Sequence, residues 1–283
     1  MSLNSINTNV GAMVALQNLN QTSTALQTVQ KHISTGLRVS DASDDGAAYA
    51  VAQRVRSDVG ALTSANQQLG NVQGLLSTTM TGLNNVSNAL NSMREVMVKL
   101  ADANVSGNQR DQYTAQYKIY LANVKSDLQD AGYNGKTLIG NIAGSNGTFS
   151  NVSVIRNELG ATYGIASFNG SAFLASVTFT ATQYGAATSM QAAISSTGIF
   201  LQKINLIGTQ LNTYGAANTY VNNQITYNSN KIDSLNSGLG SLIDADMAKE
   251  SAQLQALQIR QQLGTQALSI ANQAPNSLLS LFR

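Results

Sequence analysis

The chain has 283 residues, enough for one or two ordinary domains and a large core, yet only 11% are charged, against about a quarter in typical globular proteins. With one histidine and no cysteine, it has no disulfides, thiolate metal sites or cysteine nucleophiles, and one imidazole does not make the usual zinc ligand set. A net charge of +2 gives no electrostatic basis for binding nucleic acid or an anionic membrane surface.

The placement of charge says more than its total. Residues 1–30 and 261–282 carry no charged side chain. Both ends are nonetheless amphipathic, with Ile6, Val10, Val14, Leu19 and Leu26 at one end and Leu254, Leu257, Leu263, Ile270, Leu278, Leu281 and Phe282 at the other. Apolar faces flanked by neutral polar groups suit burial against protein, because an unpaired buried charge carries a large desolvation cost. No apolar region with a small-residue cleavage site follows Met1, so the chain is expected to be cytosolic or to leave the cell without a cleaved leader. No run reaches transmembrane length, and membrane insertion is not expected.

After the first amphipathic helix comes SDASDDGAAYAVAQ (40–53), a crowd of acids in an acid-poor chain. Asp41, Ser43, Asp45 and Gly46 overlap the start of a calcium loop, but the twelfth position, which needs a bidentate Glu, is Ala52. The segment reads instead as a joint. Ser40, Asp41 and Ser43 can cap or turn, acids favour the helix start that follows, and Asp44 and Asp45 are candidates to contact basic groups such as Arg38, Arg54 or a neighbour's side chain.

Positions 69, 72, 76, 79, 83, 86, 90, 93, 97 and 100 form a 3/4 seam that is apolar except at Thr79. As one helix these positions span about 48 Å. NVSGN (104–108) breaks the pattern, and a second helix is predicted over 109–131 with Tyr113, Tyr117, Tyr120, Val124 and Leu128 on its core face, stopped by GYNG (132–135). Residues 136–187 carry NVSVI (151–155) and FLASVTFTATQY (173–184), both rich in β-branched and aromatic residues and expected as strands of a hairpin-rich insertion. Three tripeptides there fit the N-glycosylation pattern, which arises freely in a chain so rich in Asn, Ser and Thr. A third seam, from 190 to 242 in 3/4 steps, is apolar at thirteen of its sixteen positions, with Thr197, Asn218 and Asn228 as exceptions. One helix over it spans roughly 80 Å. Buried Asn fixes register at some cost in stability, whereas slight helix drift turns such an Asn to solvent.

The expected fold is mainly α: an elongated antiparallel coiled-coil or helical-bundle rod with paired terminal helices and a small β-hairpin-rich insertion. The expected divisions are 1–35 with 243–283 as a terminal coiled coil, 36–60 with 236–242 as a joint, 61–135 with 188–235 as a helical rod, and 136–187 as the insertion. No catalytic constellation emerges and no cofactor is expected. His32 lies among amphipathic positions with no acid near it in sequence, and Asp244 and Asp246 precede a helix, where capping is the ordinary role.

INTN (6–9), ISTGLRVSDASDDGAAYAVAQRV (33–55) and LIDADMAKESAQLQALQIRQQLGTQALSIANQAPNSLLSLFR (242–283) resemble the two ends of bacterial flagellin, the subunit of the flagellar filament, most of all those of α-proteobacteria. The resemblance covers roughly 1–140 and 190–283. It implies that the terminal helices pack into an inner tube of a self-assembled homopolymer, with adjoining rods around it and the middle of the chain outside. It also implies an extracellular filament subunit for swimming motility, exported unfolded by the flagellar type III apparatus, with a chaperone, junction proteins and a cap as partners. Some members carry O-glycans on their outer segments. LNSMREVMVK (90–99) aligns with a stretch that an innate immune receptor recognises in many flagellins. Arg94 and Glu95 match it, while Ser92 stands where a basic residue is usual and Val96 and Met97 differ. A junction protein sharing the terminal helices, and a surface adhesin or polysaccharide-binding protein on the same chain, are the alternative readings.

Overall fold

The computed structural model describes residues 8–281, with side chains described to residue 273. Its elements run α1 (Val10–Thr35), α2 (Gly46–Leu100), α3 (Gly107–Asp130), β1 (Gly132–Tyr133), β2 (Lys136–Thr137), β3 (Ile139–Gly140), β4 (Thr148–Phe149), β5 (Val152–Ile155), β6 (Thr162–Ile165), β7 (Phe168–Asn169), α4 (Gly170–Val177), α5 (Ala181–Gly185), α6 (Ala187–Ile194), α7 (Ile199–Ile243) and α8 (Met247–Leu281). The fold is mainly α, with long helices and a small strand-bearing insertion. The chain divides into two compact units, Met1–Ser57 with Ser234–Arg283, and Asp58–Asp233.

In the second unit the α2 seam is the core. All ten of its positions from Leu69 to Leu100 are buried, including Thr79, whose hydroxyl donates to the Leu75 carbonyl at 2.7 Å. That internal bond is what admits a hydroxyl to an apolar seam. Against α2 pack Tyr117, Val124 and Leu128 of α3, with Tyr113 and Tyr120 partly buried beside them. Along α7, Phe200, Ile207, Tyr214, Val221 and Asn228 recur every seven residues and are all buried. A buried side chain at this spacing returns to one face of a helix, as a coiled-coil seam requires. Burial raises the Tyr117 phenol well above its ordinary range and pushes Tyr214 up to about 12. Both hydroxyls donate to insertion carbonyls, Tyr117 to Val177 at 2.7 Å and Tyr214 to Ala166 at 3.1 Å.

Asn228 is fully buried rather than turned to solvent. Its amide donates to Asn66 Oδ1 at 2.9 Å and to the Arg156 carbonyl at 3.0 Å, while its own oxygen accepts from Gln224 at 2.9 Å. One side chain thereby registers α2, α7 and the β5–β6 hairpin. Nearby, Lys231 holds Glu158 at 2.6 Å, and this ammonium lowers the Glu158 carboxyl below its ordinary value.

Three expectations need correction. Residues 173–184 are not strands: Asn169 caps α4 by accepting from the Ala172 amide at 3.0 Å, and Thr180 with Gln183 forms a capping box on α5. Local capping thus overrides β propensity, which is the weaker and more context-dependent preference. The late seam is not one helix from 190 to 242, because a turn at 195–198 separates α6 from α7. There the Gly198 amide donates to the Ser195 carbonyl at 2.9 Å, and a Cβ on Gly198 would lie 2.2 Å from the Ala193 carbonyl. GYNG is not a helix cap either: Asn134 (φ 49°) and Gly135 (φ 73°) instead make the two-residue turn of the β1–β2 hairpin. Elsewhere in the insertion β2 pairs with β4 and β3 with β7, both parallel, while NVSVI supplies β5, antiparallel to β6.

Candidate polymerisation surface and joint

In the terminal unit α1 and α8 lie antiparallel. The Asn9 amide donates to the Ala271 carbonyl at 2.7 Å near one end, and His32 Nδ1 lies 3.3 Å from Glu250 Oε1 near the other. Asn9 also caps α1, accepting from the Ala12 amide at 3.0 Å, and Gly36 closes it in the left-handed conformation (φ 71°). Asp246 caps α8 through the Ala248 and Lys249 amides at 3.0 and 3.1 Å.

Two helices pairing along one stripe each leave the rest of their apolar surface uncovered. Among the described residues of this pair only Val29 and Leu257 are buried, while Leu19, Leu26 and Leu254 are half-buried. Val10 is 50% exposed, Val14 52%, Leu263 59% and Ile270 68%. Ile6 and Phe282 lie outside the described residues, as do the side chains of Leu278 and Leu281. Sequence reasoning missed Met13, Leu16 and Ile259, all exposed on these helices. Their signal was present in the 3/4 spacing, since Met13 and Leu16 fall three residues apart beside Val10 and Val14. A groove of ≈ 560 Å³ runs between α1 and α8 past Leu19, Leu257 and Leu263, and a second concavity on α1 is lined by Met13 and Leu16.

The acid-rich segment is held by Lys31. Its ammonium donates to Asp41 at 2.6 Å and to Asp44 at 2.9 Å. That bond, then those from Ser43, hold the Asp41 carboxyl at about 2, and Lys31 with the Ser40 amide lowers Asp44 further. The two carboxylates in turn raise Lys31. Asp45 points no side chain at a base: it caps α2, accepting from the Ala47 and Ala48 amides at 3.0 Å each, with Gly46 as the first helical residue. Arg38 reaches the Leu242 carbonyl, and the backbone amides of Arg38 and Val39 donate to the Ile243 carbonyl at 2.7 and 3.2 Å. Under this crossing lies a small core of Val39, Ala48, Ala52 and Ile243. The joint residues therefore act within one chain as turn, caps and clasp. The spacing suited to calcium is spent on hydrogen bonds to Ser43 and on the helix cap. Lys31 escaped the reading because the partner lies across a helix end, at a separation no helical period marks. His32 gains its acid, Glu250, from 218 residues away.

In the other unit Arg94 and Glu95 are exposed, while Met93, Val96 and Met97 face the core. No helix among the described residues is long and apolar enough to cross a membrane.

Residues 6–143 match the family described as bacterial flagellin N-terminal helical region, and residues 194–282 match bacterial flagellin C-terminal helical region. The unmatched middle holds most of the strands and the three short helices. Flagellin FljM of Caulobacter vibrioides is 32% identical over 283 residues, covering 100% of both chains. A flagellin of Brucella melitensis is 35% identical over 298 residues, covering 99% of each. The crystal structure of Bacillus cereus flagellin superposes with a TM-score of 0.48 at 14% identity, over 57% of this chain and 88% of that one.

Proposed function

The chain belongs to the bacterial flagellin family, the structural subunits of the flagellar filament, and from that premise we propose that α1 and α8 are the surface through which its copies polymerise. The observation that supports this is the apolar face these helices leave open after pairing, from Val10 and Val14 to Leu263 and Ile270. Buried among neighbours, such a face gains about 25 cal/mol per Å² of apolar surface removed from water, and the missing charge removes the desolvation cost. Within this reading the terminal unit forms an inner tube, residues 36–60 and 236–242 join it to the helical rod, and residues 136–187 face outward. The subunit works outside the cell, reaches it by the flagellar type III apparatus with a chaperone, and meets junction and cap proteins at the ends of the filament. The role is structural rather than enzymatic.

Full-length coverage of relatives named flagellin favours the main filament over a junction protein. Val96 and Met97, which depart from the receptor-recognised pattern, are buried, so of the segment's departures only Ser92 touches the surface beside Arg94 and Glu95. Arg94 and Glu95 are in this reading the receptor-facing pair.

Electron microscopy of the purified chain under polymerising conditions tests the proposal. Long tubular filaments are expected from the full chain and none from a variant lacking residues 254–283. Filaments formed by the truncated chain would refute the assignment of α8 to the inner tube.

A further inference from the structure

We infer that the groove between α1 and α8 receives a second copy of this chain and that Arg260 there pairs with Asp244 of that copy, a step that rests on the filament reading above. The groove is lined by Ala15, Leu19, Leu257, Leu263 and Ala267, and the Arg260 guanidinium is the one charge among its lining side chains. Covering it with protein desolvates that guanidinium, and a buried charge without a partner is strongly destabilising. The occupant must therefore bring a carboxylate.

Residues 1–30 and 261–282 carry no charge, so the charge-free ends of a neighbour cannot supply one. The other acids of the terminal unit are committed within their own chain. Asp41 and Asp44 hold Lys31, Asp45 and Asp246 cap helices, and Glu250 faces His32. Asp244 is left: it is exposed on the connection between α7 and α8, and its carboxylate makes no hydrogen bond or ion pair with any described residue. Within one chain the two groups stay apart, because Arg260 lies thirteen residues into α8 from Met247, about 20 Å along the helix. Pairing them takes two copies. The groove and the α7–α8 connection are different patches, so the contact is heterologous, and repeated head to tail it extends a polymer instead of closing a dimer.

A charge-reversal cycle on the full chain tests this. Arg260→Glu and Asp244→Lys should each raise the critical concentration for filament formation by at least about tenfold, since each leaves like or unpaired charges in the contact. The double variant should return to within about threefold of the parent, a recovery only a direct pair explains. Circular dichroism of the monomers checks that helix content is kept. If a reversed charge unfolds the chain, the neutral changes Arg260→Met and Asp244→Asn complete the same cycle and should prove non-additive. A double variant no better than its worse single, or either single assembling like the parent, overturns the pairing. A parent chain that stays monomeric under every condition overturns the filament reading itself, and the pairing with it.

Discussion

Asn228→Ala should destabilise the Asp58–Asp233 unit more than any exposed substitution in α7. The side chain is fully buried and makes three hydrogen bonds, to Asn66, Arg156 and Gln224, at 2.9 to 3.0 Å. Asn66 and Gln224 are both half-buried and keep a path to water, so each lost bond costs about 1 kcal/mol net. The Arg156 carbonyl loses a donor at a part-buried contact, where a group left unsatisfied costs about 1–3 kcal/mol. Together these give a loss of about 3–5 kcal/mol. For a unit of this size, about 2–4 °C per kcal/mol, that lowers Tm by roughly 6–20 °C. Asn228→Leu restores the buried volume in a seam flanked by Val221, Ile225 and Ile232, so apolar burial of about 1.5–3 kcal/mol offsets much of the penalty. Urea unfolding of the monomer followed at 222 nm, with the parent and both variants side by side, measures the difference. A change under about 0.5 kcal/mol for Asn228→Ala would show that water replaces the network freely and that the buried amide does not hold the hairpin to α7.

Further outcomes follow from the same contacts. Gly198→Ala should cost about 1–3 kcal/mol, because its Cβ meets the Ala193 carbonyl backbone in a turn that cannot widen without parting α6 from α7; chemical denaturation reads this directly. Leu83→Ala, at a fully buried seam position, should cost about 2–5 kcal/mol, while Val98→Ala on the exposed face of the same helix should stay within about 0.5 kcal/mol. The carboxyls of Asp41 and Asp44 lie below their ordinary 3.8. The stability that Lys31 confers through them is therefore present above pH 3.8 and is lost as pH falls through their folded values, to pH 2 and below. Carboxyl-carbon titration by NMR should show both groups ionised at pH 3, and Lys31→Met should move them back toward 3.8. Unchanged titration in that variant would assign the depression to Ser40 and Ser43 instead.

Much of this structure was legible in the chain itself. The α2 seam was readable to the residue, because burial on a long helix repeats with the turn of the helix and nothing else in the sequence has that period. Thr79 looked like a defect until its hydroxyl was seen to close on Leu75. The strands expected at 173–184 failed for the opposite reason. Their β-branched content is a weak preference, whereas Asn169 and Thr180 satisfy helix-start amides directly. The crowding of acids marked the turn between α1 and α2, but not the clasp that holds it. Lys31 meets Asp41 and Asp44 only once the chain has turned back after Gly36, and His32 meets Glu250 only when the two ends of the chain come together.

The sequence by itself determined where charge is absent and which positions repeat at helical spacing, since both are local properties carried by residues a few positions apart. Only the tertiary structure decided which apolar residues the pairing of α1 and α8 leaves open, that Asn228 is buried as a three-way lock, and that Asp44 is spent on Lys31 while Asp45 caps α2. Those outcomes depend on contacts between residues as much as 262 positions apart, as between Asn9 and Ala271. No periodicity encodes such a contact, because it exists only after both segments have folded and met.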